Sequence, residues 1–221
     1  MGKCVIDESR DGDTWLMLGN SHLSRMGAYL RTFGAGTISI RGGGIDHAHE
    51  LMKMLKYFKG TLECVVLLVT GNDIADRRKD VGDFATEMKL MIRNIRRENP
   101  CAVVVTIAAI PRITDTCDRA GSSERFLERS ALFDQMLTQQ DSYHHHLRHD
   151  FFIGERTEGG TLPLTKRYIY DNVHLNPDGL RMLEELYEFI FDCVNFNDFD
   201  RYKRIWVEHI SGECRFAKWA Y

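Results

Sequence analysis

Ser21, Asn72, Asp171 and His174 are the residues of this chain whose types and settings could do chemistry. Ser21 follows the apolar run Trp15 to Leu18 and the breakers Gly19 and Asn20, and it stands where a helical spacing of Leu23, Met26 and Leu30 begins. A serine on a strand-to-helix turn is lifted clear of a packed sheet, and the N–H groups opening the helix point at any anion formed beside it. The commoner use of such a serine is an N-cap. Asp171-Asn-Val-His174 holds what a reactive serine would need. An imidazole takes the proton, and a carboxylate three residues away fixes its tautomer. On the plainer reading Asp171 makes an Asx-turn in a surface loop. Asn72 either ends a strand as a turn residue or donates its side-chain amide into a crevice. The run Gly42-Gly43-Gly44 is a flexible turn, or it offers a backbone N–H in a conformation that glycine alone adopts easily. One such donor is worth roughly 3 kcal/mol at an acyl-transfer transition state.

These residues need elements to position them. Short apolar runs at 15–19 and 64–69 read as strands, as do the longer one at 101–110 and Thr37-Ile-Ser-Ile-Arg41 behind the turn residues Gly34 and Gly36, and 150–153 gives a short fifth. Helical spacing follows each of the first four: after Ser21, over Ile45 to Phe58, over Phe84 to Ile95 and over 123–140. A last helix starts at Pro177 and carries Leu180, Leu183, Leu186, Ile190 and Val194 on one face. Stretches 112–123 and 154–170 read as loops. Alternating strand and helix imply a mainly parallel sheet with right-handed crossovers. Ser21, the glycine run and Asn72 then all follow carboxyl ends of strands, the edge where open α/β sheets bind ligands.

Taken in order, Gly-Asn-Ser at 19–21, a glycine at 42–43, Gly-Asn-Asp at 71–73 and Asp-x-x-His at 171–174 resemble the four sequence blocks of the SGNH (GDSL-type) hydrolases. The resemblance spans about residues 13–195. It implies an α/β fold, a three-layer α/β/α sandwich with a five-stranded sheet of SGNH/flavodoxin type. It also implies a serine-dependent ester hydrolase that works through an acyl-enzyme, without metal or organic cofactor. Ser21 would be the nucleophile, His174 the general base and acid, and Asp171 its orienter. The backbone N–H of Ser21, that of Gly42 or Gly43 (Gly44 third) and the Asn72 side chain would form the oxyanion hole. Asn20 stands where the family usually has Asp. It keeps the shape and one acceptor oxygen but loses the charge, so the turn should survive while activity is put in question. His22 could touch substrate or cap the helix. Within the family, Gly-Asn-Ser-His-Leu-Ser-Arg-Met, Arg-Gly-Gly and Asp-Asn-Val-His-Leu are most similar to esterase-like domains of the first open-reading-frame proteins of some LINE retrotransposons. That similarity implies acetyl or lipid esters as substrates, in a nucleoprotein or membrane context.

The rest of the chain bounds the reading. A net charge of −3 over 221 residues argues against capture of nucleic acid by the whole domain, though not by a local patch. The six cysteines lack CxxC spacing, which points to reduced thiols and a cytoplasmic protein, with Cys64 and Cys101 as small buried hydrophobes. His144-His-His146 reads as a solvated loop rather than a metal site. No apolar run approaches the ~20 residues that span a bilayer. Residues 1–12 read as an extension and 13–195 as the hydrolase-like domain. The tail 196–221 interleaves aromatics with cations, a composition suited to packing on the domain, on a second copy, on lipid or on nucleic acid. The competing function is a catalytically weak or silent module on the same fold that binds RNA or a protein. The intact Ser21, Asp171 and His174 argue against it.

Overall fold

The structure is a computed structural model that describes residues 3–7, 14–26, 35–41, 44–45, 52–53, 62–112, 123–138, 144–147, 155–157, 160–162, 168–171 and 173–195. The chain divides into two compact units, Met1–Leu180 and Arg181–Tyr221.

The first unit is built on a six-stranded sheet. In chain order its elements are β1 (Lys3–Asp7), β2 (Trp15–Gly19), α1 (Ser21–Arg25), β3 (Ala35–Arg41), β4 (Cys64–Leu68), α2 (Gly71–Ala75), α3 (Val81–Glu98), β5 (Val103–Ile107), α4 (Ser123–Leu137) and β6 (His144–Leu147). A separate two-stranded hairpin follows, β7 (Glu155–Thr157) with β8 (Gly160–Leu162). Helix α5 (Pro177–Asn195) runs into the second unit. There Leu183, Leu186 and Ile190 of the face read from the sequence are buried, with Cys193 buried beside them and Val194 only half-buried.

The sheet order is β1-β3-β2-β4-β5-β6, with β3 to β6 all parallel to β2 and only β1 antiparallel. This is a flavodoxin-like α/β sandwich whose strand order reverses at β2 and β4, the point where such sheets open a crevice. Alternation along the strands explains the burial. Leu16, Leu18, Val65, Leu67 and Val104 join one core with Phe84, Met88, Met91 and Ile95 of α3 and Phe126, Phe133 and Leu137 of α4. Trp15, Met17, Cys64, Val66, Leu68 and Val105, which point to the opposite face, are buried as well. Both faces are therefore covered, as the unbroken apolar runs require.

Several expectations need correction. Among the described residues the sheet has six strands, not five, because Lys3–Asp7 pairs antiparallel with β3 instead of forming an extension. The fifth parallel strand is His144–Leu147, and the expected strand at 150–153 lies outside the described residues. Of the three histidines in β6, His145 is half-buried and the other two are not solvated. His144 and His146 are buried against Thr106 and Asp134: Thr106 Oγ1 lies 3.0 Å from His144 Nε2 and 2.8 Å from His146 Nδ1, and His146 Nε2 lies 2.9 Å from Asp134 Oδ1. Such partners offset the cost of burying the two imidazoles. Cys101 is exposed in the turn before β5, while Cys64 is buried as expected. Part of 154–170 forms the β7–β8 hairpin instead of loop. Most of the helix expected at 45–58 and the tail 196–221 lie outside the described residues. Among the described residues no helix is long and apolar enough to cross a membrane.

Candidate active site

The site is assembled at the carboxyl ends of β2, β4 and β5. β2 and β4 are paired in register, Gly19 opposite Leu68, and Asn20 N–H extends the ladder to Leu68 O at 3.0 Å. The chain then turns into α1. Asn20 is the N-cap, its Oδ1 accepting from His22 N–H at 3.0 Å. This acceptor is the oxygen that Asn shares with Asp, so the turn keeps its geometry without the charge. Gly19 is required by close approach: a Cβ there would lie 2.8 Å from the Leu23 Cβ. Ser21 is thus the first residue of α1, where a backbone N–H has no acceptor within the helix.

The second half arrives from 168–175. Ile169 and Leu175 form an antiparallel bridge, with Tyr170 N–H donating to His174 O at 3.0 Å and Asn176 N–H to Tyr168 O at 2.7 Å. The loop between them is tight, and Asp171 closes it from inside. Its Oδ1 accepts from Val173 N–H at 3.2 Å and His174 N–H at 2.6 Å, while Oδ2 lies 2.6 Å from His174 Nδ1. The Asx-turn and the histidine partner, two readings of the sequence, are the two oxygens of one carboxylate. Partial burial works to raise the Asp171 carboxyl, but the bonds from the His174 ring and from the two backbone N–H groups outweigh it and hold it below the ordinary carboxylate value.

Across 153 residues of sequence, His174 Nε2 comes within 3.1 Å of Ser21 Oγ. The imidazole of His174 sits between two rings. Tyr170, 57% exposed, stacks on it at 6.1 Å, and His22 lies 5.5 Å away at a 55° tilt. The Arg25 guanidinium lies 5.1 Å from the centroid of the Tyr170 ring. His22 is buried, and among the described residues its Nδ1 has no hydrogen-bond partner. Burial, aided by His174, Arg112 and Arg25, pulls its pKa down to about 3 against a weaker pull upward from Asp171. His22 is therefore neutral near pH 7.

Asn72 lies in the first turn of α2, just after β4. Its Oδ1 accepts from Arg112 Nη2 at 2.5 Å. Asp73 beside it is fully buried and takes Ile45 N–H at 2.8 Å and Lys79 Nζ at 2.6 Å. This carboxylate ties the end of the glycine run to the β4–α2 turn. Gly44 packs so closely that a Cβ would lie 2.7 Å from Asp73 Cγ, so the third glycine serves close approach. Gly42 and Gly43 lie outside the described residues. Reading the sequence missed Arg112 and Arg129. Arg112 stands five residues beyond the end of β5, at the same edge as Ser21 and Asn72. Arg129 interrupts the apolar stripe of α4, and its guanidinium donates to Ile74 O, Asp73 O, Asp76 O and Lys79 O, closing the carboxyl end of α2. Among the described residues, no group of three or more His, Cys, Asp or Glu is arranged to hold a metal ion.

No protein-family model and no curated protein matches the chain. Solved structures do. A GDSL-like lipase from Bacteroides thetaiotaomicron superposes with a TM-score of 0.63 at 14% identity, over 83% of this chain and 90% of that one. The C-terminal catalytic domain of Streptococcus pneumoniae peptidoglycan O-acetyltransferase A, bearing a methylsulfonyl adduct, gives 0.56 at 16%, over 83% and 94%. A carbohydrate esterase family 3 protein from Talaromyces cellulolyticus gives 0.57 at 13%, over 82% and 98%. At such identities the likeness is one of fold. The chain has the SGNH-hydrolase fold.

Proposed function

We propose that the chain is a serine-dependent ester hydrolase. The observation that carries this reading is the 3.1 Å approach of His174 Nε2 to Ser21 Oγ, in a histidine whose other nitrogen meets Asp171. Asp171 keeps the proton on Nδ1 and leaves Nε2 as the acceptor for the Ser21 hydroxyl proton. Ser21 Oγ bonds to the ester carbonyl carbon, and the carbonyl electron pair moves onto oxygen. The Ser21 backbone N–H and the Asn72 side-chain amide stabilise that oxyanion, with an N–H of Gly42 or Gly43 as a further donor. The intermediate collapses as the C–O bond to the alcohol breaks and His174 returns its proton to the leaving oxygen. A water, deprotonated by His174, then bonds to the acyl carbon; the bond from that carbon to Ser21 Oγ breaks, His174 returns its proton to Oγ, and the acid leaves.

The similar structures carry the names lipase, carbohydrate esterase and peptidoglycan O-acetyltransferase. Their common chemistry is an acyl group on an oxygen, which supports acetyl and lipid esters as the substrate class. The test is hydrolysis of p-nitrophenyl acetate. Ser21→Ala and His174→Ala should each lower kcat by at least about 1,000-fold with an unchanged far-UV circular dichroism spectrum. Wild-type turnover by folded Ser21→Ala would overturn the reading.

A further inference from the structure

We infer that Arg112 is a positioning residue for the oxyanion-binding amide of Asn72, a role that rests on the ester-hydrolase reading above. A guanidinium has donors and no acceptor, so the Asn72 atom that Arg112 Nη2 meets at 2.5 Å must be the carbonyl oxygen. The amide is planar, so fixing its oxygen fixes where the NH2 group sits. The two ends of an Asn side chain differ little in shape, and this contact favours the χ2 orientation that presents a donor to the oxyanion over the one that presents an acceptor. The contact also polarises the amide. Electron density drawn towards the cation leaves the N–H protons more positive and strengthens the bond they donate.

Arg112 is held for this task from several sides. It stands beyond β5 after the buried residues Ala108, Ala109, Ile110 and Pro111, and Ala108 N–H is anchored to Leu147 O at 2.8 Å. Its guanidinium lies 5.8 Å from the ring centroid of Phe126, a fully buried residue of α4. Gly71 is a common neighbour of Arg112 and Asn20: a Cβ there would be in ordinary van der Waals contact with both, 3.5 Å from Arg112 Nη2 and 3.6 Å from Asn20 Nδ2. Three neighbouring strand ends thus bring Asn20, Asn72 and Arg112 around one glycine. Arg112 is close enough for its charge to help keep His22 neutral. It acts through Asn72 and makes no bond to substrate in this scheme.

A double-mutant cycle on p-nitrophenyl acetate hydrolysis tests the role. Arg112→Met should lower kcat by about 10- to 100-fold with KM within about twofold, less than the loss of an entire oxyanion donor. In Asn72→Ala the same change should cost less than about twofold more, because the group it orients is gone. Arg112→Gln is carried in parallel so that the cycle closes on whichever variant keeps its far-UV circular dichroism. A second readout does not depend on turnover. The Asn72 side-chain NH2 pair in a ¹⁵N–¹H spectrum, assigned by its loss in Asn72→Ala, should shift in the Arg112 variant while backbone resonances of β2 and β4 stay in place. Losses that multiply in the double variant, or an Asn72 pair that does not move, overturn the positioning role and leave the hydrolase reading standing. A Ser21→Ala control with wild-type turnover removes that reading, and the role with it.

Discussion

His22 shows how the site binds its own residues to the pH of the solution. In the unfolded chain it takes up a proton near pH 6.5, whereas in the fold burial and the neighbouring cations delay that until about pH 3. Between those values the unfolded state holds one more proton, so stability falls as pH falls. The limiting slope from this one residue is about 1.4 kcal/mol per pH unit. Urea titrations from pH 7 to pH 4 should show that decline, and His22→Phe, which cannot titrate, should flatten it. An equal slope in both proteins would mean that the imbalance sits elsewhere. At this scale the sequence was informative for Ser21, Asp171 and His174, because short motifs constrain their spacing. The setting of His22 was not legible, since burial beside His174 depends on a loop about 150 residues away. Arg112 was hidden for the same reason, its partner lying 40 residues back in the chain.

Among the elements, the β4–α2 turn does the most to shape the site. Asp73 takes a backbone N–H from the end of the glycine run and an ammonium from Lys79, both at the foot of the helix that carries Asn72. Asp73→Ala would leave Ile45 N–H without this acceptor and Lys79 without this counter-charge. The cost should be about 3 kcal/mol, at the lower end for a broken buried pair because Lys79 keeps some contact with water. A urea midpoint at the wild-type value would contradict it. Gly44→Ala pushes a methyl into the same carboxylate and should destabilise by about 1–3 kcal/mol, with kcat falling as the loop and Asn72 lose their common anchor. A thermal melt and a kcat measurement on one preparation check both effects. The glycine run drew notice as a turn or a donor, whereas the reason for its third member is a carboxylate 29 positions on, beyond any local pattern. β6 was misread for a related reason. Histidines look like surface residues until Thr106 and Asp134 are seen to satisfy them.

For the molecule as a whole, the sheet turns a scattered set of motifs into one crevice. Strand order reverses at β2 and β4, so the turns that follow them diverge and leave room for Ser21 on one side and Asn72 on the other. The parallel core was legible because runs such as Cys64–Leu68 are apolar on both faces, and the structure buries both. The antiparallel edge β1 was not, since Lys3–Asp7 is a short mixed segment whose strand character comes from its pairing with β3. The central claim is that this scaffold makes one serine nucleophilic. The most direct measurement is labelling of the intact protein with a fluorophosphonate, followed by mass mapping of the modified peptide. The account predicts a single adduct on Ser21 that His174→Ala abolishes; an adduct on another residue, or equal labelling of Ser21 without His174, would contradict it.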